Sequence, residues 1–560
     1  MNKKRIRVYA FFAALFCIFI ASSSFADQTT DKVDALFKAW DKPDSPGCAL
    51  AVIREGEIVY KKGYGMANLE YDIPITPSSV FYIGSTSKQF VAMCIALLAR
   101  EGKLSLDDDI RKFVPEMTDY GTPITIRNLI HHTSGLRDYL ELVGIMAGLS
   151  EEKGDEMIGI YHQQNSLELI ARQKELNFEP GERFLYSNSC YLLLAEIIKR
   201  VSGKTLREFA HENIFEPLGM KNSHFHDDYT ELIRNRAWGY YPARKDKFRL
   251  FLSTFDCVGS GGLFTSIEDL YLWDQNFYHC KVGGKEVIDL LHTRGKLKSG
   301  EEIDYAFALM IGEYKDLKTV RHGGALGGYR AELLRFPEER FSVICLSNLA
   351  SFNPSALCNQ VADIYLVDKL KVETPKDQVQ QKVAINSEAY KDYEGQYRLD
   401  VGLMIKVIKE DDKLMAQAEG RPKMELVPES ATDFYLKEMD ARLSFQRDES
   451  GIVNHIKLNI QGQDIQGERI TDVEVKPEDL EGFAGDYYSD ELELKLALAV
   501  DEGKLFFVPR NTPKNPLKVL RRDEFSGGMF QIKFQRDGEN RVTAFTLDTG
   551  RVKNLLFVKK

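Results

Sequence analysis

The sequence predicts a large α+β domain built on an antiparallel sheet, followed by two small antiparallel β-barrels. Three observations carry that reading. Strand hairpins stand near both ends of the region up to about Val372, with helical periodicity between them. Beyond it, a set of landmarks recurs after about 90 residues. Within each copy, short segments alternate polar and apolar residues between Gly, Asp and Pro turns.

The elements follow in chain order. Lys3, Lys4, Arg5 and Arg7 make the start basic, Val8 to Ala21 form an apolar run, and Ser24 and Ala26 put small side chains just before Asp27. This pattern describes a secretory signal peptide over 1–26, and therefore a periplasmic or secreted mature chain. The run is shorter than the roughly 20 residues that span a bilayer, so no stable membrane insertion is expected after cleavage. The large domain is expected over 27–372. Val33, Leu36, Phe37 and Trp40 recur at helical spacing, and Cys48 to Ile53 with Glu57 to Tyr60 flank Glu55-Gly56 as a hairpin. Arg330 to Phe336 and Phe341 to Leu346 form a second hairpin, and Ala356 to Leu366 a final amphipathic helix. A polar linker over 373–385 leads to the repeats, expected at 386–470 and 471–560. There Tyr393-Glu394-Gly395-Gln396-Tyr397 returns as Phe483-Ala484-Gly485-Asp486-Tyr487, Phe434 as Phe525, and Phe445-Gln446-Arg447-Asp448 as Phe534-Gln535-Arg536-Asp537. Two copies are too few for a solenoid, which favours self-contained barrels.

With 44% hydrophobic and 28% charged residues, the chain reads as a folded soluble protein. Its formal net charge of -10 argues against nucleic acid or anionic membrane partners. The eight cysteines, one of them Cys17 in the signal segment, have neither metal nor disulfide-framework spacing and read as packed thiols with at most an incidental pair.

Three segments can carry chemistry. Ser85-Thr86-Ser87-Lys88 opens the helical run Phe90, Val91, Cys94, Leu97, Leu98. A serine there lies in the positive end of the helix dipole, with Lys88 on the same face, and a desolvated amine can take the hydroxyl proton. Taken alone, the segment equally describes a helix cap followed by a solvated lysine. Tyr186-Ser187-Asn188 precedes the helix Tyr191 to Val201 and offers a phenol to a proton relay and an amide to a substrate. Arg321-His322-Gly323-Gly324-Ala325 opens the late hairpin, where glycines let a substrate lie close to a strand and a backbone N–H face an oxyanion.

In order and context, the three segments together resemble the penicillin-recognising serine hydrolases, with their S-x-x-K, Y-x-N and K-T-G or H-x-G pattern, over roughly residues 30 to 370. Leu129 to Leu136, Pro217 to Met220 and Gly261 to Leu270 look like scaffold segments of that family. The resemblance implies a β-lactamase/D,D-peptidase-like catalytic domain, with Ser85 as acylated nucleophile and Lys88 and Tyr186 sharing base and acid duty. It implies that Asn188 binds the substrate amide, that the N–H groups of Ser85 and Ala325 form an oxyanion hole, and that Gly324, Ala325 and His322, the last in the place of the third motif's lysine and titrating near neutrality, meet the substrate. No metal or organic cofactor is implied, and the expected partner is a small molecule or short peptide. Because His322-Gly323 offers a titratable ring and no hydroxyl, it argues against strong β-lactamase or carboxypeptidase activity. With two barrels, the arrangement looks most like the D-aminopeptidase branch, acting on a small peptide, amide or ester, in which a barrel loop reaches the cleft. Asp523-Glu524-Phe525-Ser526-Gly527-Gly528 is the expected loop. The alternatives are an esterase or weak β-lactamase/D,D-carboxypeptidase of the same fold, or a non-catalytic ligand-binding protein. His224-Phe225-His226-Asp227-Asp228 departs from the metallo-β-lactamase pattern at Tyr229 and reads as a solvated loop.

Overall fold

The computed structural model describes residues 28–149, 162–244, 247–251, 254–370, 387–399, 403–418, 422–436, 441–460, 463–470, 477–508, 516–527 and 530–560. The signal segment and the linker lie outside the described residues.

Six strands form the main sheet in the order Met310–Tyr314, Leu317–Leu326, Tyr329–Phe336, Phe341–Ser347, Cys48–Arg54, Glu57–Tyr64, every neighbour antiparallel. The two ends of the domain thus meet inside the sheet, at its fourth and fifth strands, where Leu50 faces Cys345. The predicted turn Glu55-Gly56 takes positive φ at both residues, 50° and 83°, the geometry a two-residue hairpin needs. Period-two alternation sends Cys48, Leu50 and Val52 to one face and Ala49, Ala51 and Ile53 to the other. The first face packs on Val33 and Phe37 from the helix over 28–37 and on Leu357, Cys358 and Val361 from the helix Pro354–Tyr365. The second, lined by small alanines, receives the helical layer that includes Lys88–Arg100, Asn188–Ser202 and Ile267–His279.

Each repeat is a closed eight-stranded antiparallel barrel. The landmarks superpose physically. Tyr397 donates to the Tyr393 carbonyl at 2.9 Å and Tyr487 to that of Phe483 at 2.7 Å. The aromatic trio Tyr393, Phe434 and Phe445 has its counterpart in Phe483, Phe525 and Phe534. The barrels differ in attachment. The first has its own hydrophobic core, whereas the core of the second is continuous with that of the catalytic domain.

The second barrel is clamped by Arg137, fully buried, which meets Glu491 at 2.6 Å and donates to the carbonyls of Lys553 and Asn554 at 3.0 and 3.1 Å. The seven cysteines from Cys48 to Cys358 are all free thiols, and only Cys280 is not fully buried. Among the described residues, no helix is long and apolar enough to cross a membrane.

Candidate active site

Ser85 lies in a 3-10 turn, Gly84–Ser87, and the α-helix begins only at Lys88. The serine therefore sits one turn ahead of the helix, and the lysine side chain reaches back to it. Lys88 is fully buried, with Nζ 3.0 Å from Ser85 Oγ, 2.9 Å from Asn188 Oδ1 and 2.5 Å from the Ser260 carbonyl. Burial is the main cause that pulls its pKa down to about 7, assisted by the Arg551 cation and opposed by Asp138. A neutral amine has two N–H donors and one lone pair. Asn188 Oδ1 and the Ser260 carbonyl accept but cannot donate, so they take both N–H groups and leave the lone pair for the serine hydroxyl.

Asn188, at the start of its helix, is engaged from both ends: Oδ1 toward Lys88, and its backbone N and Nδ2 donating to Asp138 Oδ2 at 2.9 and 2.8 Å. The centre of the Tyr186 ring is 5.0 Å from Lys88 Nζ and 5.0 Å from the Arg551 guanidinium carbon. Its hydroxyl is buried. Burial raises its pKa, with Ser85 the largest opposing influence, so the phenol stays protonated at neutral pH.

The third segment runs along the strand Leu317–Leu326. A Cβ on Gly324 would fall 1.9 Å from the Ile83 carbonyl oxygen, and one on Gly84, whose φ is +54°, would fall 2.5 Å from Ala325 N. The two glycines let the strand lie against the serine turn, bringing the backbone of exposed Ala325 beside that of Ser85. His322 corrects the expectation of a side chain that meets substrate and titrates near neutrality. It is 4% exposed, and burial pushes its pKa down to about 4. It ends a chain of directed hydrogen bonds. Ser187 N–H donates to His132 Nδ1 at 3.2 Å, which makes His132 Nε2 the protonated nitrogen facing Tyr305 Oη at 3.2 Å. Tyr305 in turn donates to His322 Nε2 at 3.1 Å, and His322 Nδ1–H bonds the Gly323 carbonyl at 2.7 Å. Two neutral histidines thereby back the site, with the His132 ring 4.1 Å from that of Tyr186.

A barrel turn does reach this site, but not the expected one. Glu524–Gly527 is a barrel strand in which Glu524 pairs with Arg521 and Lys533, while Gly528 lies outside the described residues. The segment that arrives is 549–554, the final hairpin turn of the second barrel. Arg551 N donates to Glu141 Oε2 at 2.6 Å, its carbonyl accepts from Asp138 N at 3.2 Å and Asn177 Nδ2 at 3.0 Å, and its Nη1 lies 3.4 Å from Asp138 Oδ2. The repeat holds a signal for it: strands ending at Ile460 and beginning at Gln463 leave two residues between them, whereas those ending at Asp548 and beginning at Leu555 leave six. Asp138 stands two residues beyond the quoted scaffold segment Leu129 to Leu136, and nothing local distinguishes it.

His224, His226 and Glu231 could hold a metal, since ligand atoms from all three lie within 4.8 Å of one another. In this structure both Glu231 oxygens are bound by Arg207, at 2.5 and 2.9 Å.

The Beta-lactamase family profile matches residues 33–363, and a profile described as a domain of unknown function, DUF3471, matches residues 379–469. The chain is 29% identical over 407 residues to penicillin-binding protein 4* of Bacillus subtilis, covering 70% of this chain and 88% of that one. It is 26% identical over 523 residues to a D-aminopeptidase of Brucella melitensis, covering 90% and 93%. Among solved structures, the octameric penicillin-binding protein homologue from Pyrococcus abyssi matches with a TM-score of 0.56 at 26% identity, over 80% of this chain and 100% of that one.

Proposed function

The chain belongs to the Beta-lactamase family across residues 33–363, and from that premise we propose that it is a serine hydrolase working through an ester on Ser85. The observation that carries the proposal is the hydrogen-bond count at Lys88, which leaves the lone pair of a neutral amine for Ser85 Oγ. As Oγ attacks the substrate carbonyl, its proton passes to Lys88. The oxyanion so formed faces the N–H groups of Ser85 and Ala325. Collapse breaks the bond to the leaving atom, which takes the Tyr186 proton, and Tyr186 recovers one from the Lys88 ammonium. Water then cleaves the ester by the same steps in reverse. Asn188 holds Lys88 in place and has one N–H left for the substrate amide.

The substrate is a small peptide, amide or ester, and the chemistry is D-aminopeptidase-like. This is supported by a D-aminopeptidase relative that aligns with 90% of the chain, barrels included. We also propose export, with the mature chain beginning at Asp27, which the mass of the protein recovered from the producing cells tests. For the reaction, a serine-reactive phosphonate should label Ser85 stoichiometrically in the full chain and leave the Ser85→Ala variant unlabelled. Labelling elsewhere, or none, would remove the assignment.

A further inference from the structure

Lys88 can keep its lone pair for Ser85 only while Asn188 turns its carbonyl oxygen, and not its amide nitrogen, toward the amine. Rotated half a turn about its last bond, the Asn188 side chain would present Nδ2 instead, donate to that lone pair and take it away from the serine. We propose that Asp138 is the positioning residue that excludes the rotated arrangement, and that Arg551, delivered by the second barrel, is its counter-charge. This rests on the hydrolase reading above and deepens it, since both residues act through Lys88.

The hydrogen bonds around Asp138 have fixed directions. Its carboxylate is fully buried, and an ionised carboxylate only accepts. Oδ2 accepts from the backbone N and Nδ2 of Asn188 at 2.9 and 2.8 Å, and Oδ1 accepts from Leu140 N at 2.9 Å at the start of the helix Tyr139–Leu149. Rotating the Asn188 amide would set its oxygen in place of Nδ2, against Asp138 Oδ2, two acceptors with no proton between them. A buried carboxylate needs a counter-charge, and Arg551 Nη1 stands 3.4 Å from the same Oδ2. Beyond burial, the two charges act on Lys88 with opposite sign, Asp138 favouring the ammonium and Arg551 the free amine. The other titratable groups that face Lys88 are Tyr186, Tyr191, Cys190, His132 and His322. Burial keeps the two phenols and the thiol protonated and both histidines neutral, so none of them changes charge near pH 7. The docking contacts of Arg551 run through its backbone, which lets its side chain be changed with the turn still held.

Two quantities are followed with pH in the full chain: the rate at which a serine-reactive phosphonate labels Ser85, and the Cε carbon NMR shift of Lys88, identified as the resonance lost in Lys88→Arg. Both should share a midpoint at about 7 in the parent chain. Arg551→Gln should move it up by about one pH unit, because an uncompensated Asp138 favours the ammonium, and Arg551→Lys should leave it near the parent value. Asp138→Asn keeps the shape and remains a good helix cap. It should move the midpoint down by about one unit and lower the labelling rate at high pH about tenfold, since the Asn188 amide is then free to turn. A midpoint unmoved by Arg551→Gln, shifts of the same sign in the two variants, or full-rate labelling in Asp138→Asn would overturn the proposal. Should Asp138→Asn fail to fold, the comparison of Arg551→Gln with Arg551→Lys decides alone. Opposite shifts of the Lys88 resonance without labelling of Ser85 would sink the hydrolase reading and keep the role of the pair, and labelling with unmoved midpoints would do the reverse.

Discussion

Lys88 shows how burial converts an ordinary side chain into a base. At pH 6 most of its amines carry a proton and have no lone pair for Ser85; above about 7 most are neutral. The kcat/KM of the full chain is therefore expected to rise with pH through about 7 and then level, because Tyr186 is held above its ordinary pKa and stays an acid. A profile falling across that range would remove Lys88 as base. Ser85→Ala should lower kcat by about three or more powers of ten, and Lys88→Ala with Tyr186→Phe should cost much less than the product of the single changes, since both serve one relay. His322, already neutral at pH 6, should leave no inflection between pH 6 and 8. At this scale Ser85, Lys88 and Tyr186 were legible because each stands next to a helix start, a feature written in local spacing. Asp138, His132, Tyr305 and Arg551 were not, because their roles depend on partners that only the folded chain brings near.

At the scale of elements, the cleft depends on how closely a strand approaches a turn. The Gly324→Ala variant forces its new methyl to within 1.9 Å of the Ile83 carbonyl, so the strand carrying Ala325 must move away from Ser85. Such overpacking costs on the order of 1–3 kcal/mol, and a displacement of about 1 Å at reacting groups can cost about a hundredfold in rate. Thermal unfolding and kcat measured together should both show the loss; a variant with unchanged kcat would mean that Ala325 plays no part in the chemistry. The hairpins and the repeat were readable from period-two alternation and turn residues, as Glu55-Gly56 illustrates. The placement of the intruding turn was misjudged because Asp523 to Gly528 has the composition of a loop, while its ladder partners, Val519 and Ile532 against Phe525, make it a strand.

For the whole molecule, the buried Arg137–Glu491 pair is one of the contacts that hold the second barrel to the catalytic domain, beside the core they share. Glu491→Ala leaves a buried guanidinium without its counter-charge, a change that typically costs about 3–5 kcal/mol. Limited proteolysis should then degrade the second barrel faster than in the parent chain, and substrate ranking should shift toward that of a chain ending at Leu370. If the truncated chain ranked substrates as the full chain does, the barrels would have no part in selection. The order of domains was legible from composition and repetition. Which barrel touches the catalytic domain was not, since the nearer one in sequence keeps a separate core and the farther one returns to share it.

That return has a bearing on biosynthesis. Domains fold broadly in the order in which the ribosome releases them, and Ser85, Lys88, Tyr186 and Ala325 all emerge long before the turn at 549–554. A chain without that turn holds Ser85, Lys88, Tyr186 and Ala325 but lacks the Arg551 cation that helps to lower the Lys88 pKa. Held in that state, the chain would have its nucleophile in place but a base that is less readily neutral. Docking of the farther barrel is thus expected to be the last step in assembling the site.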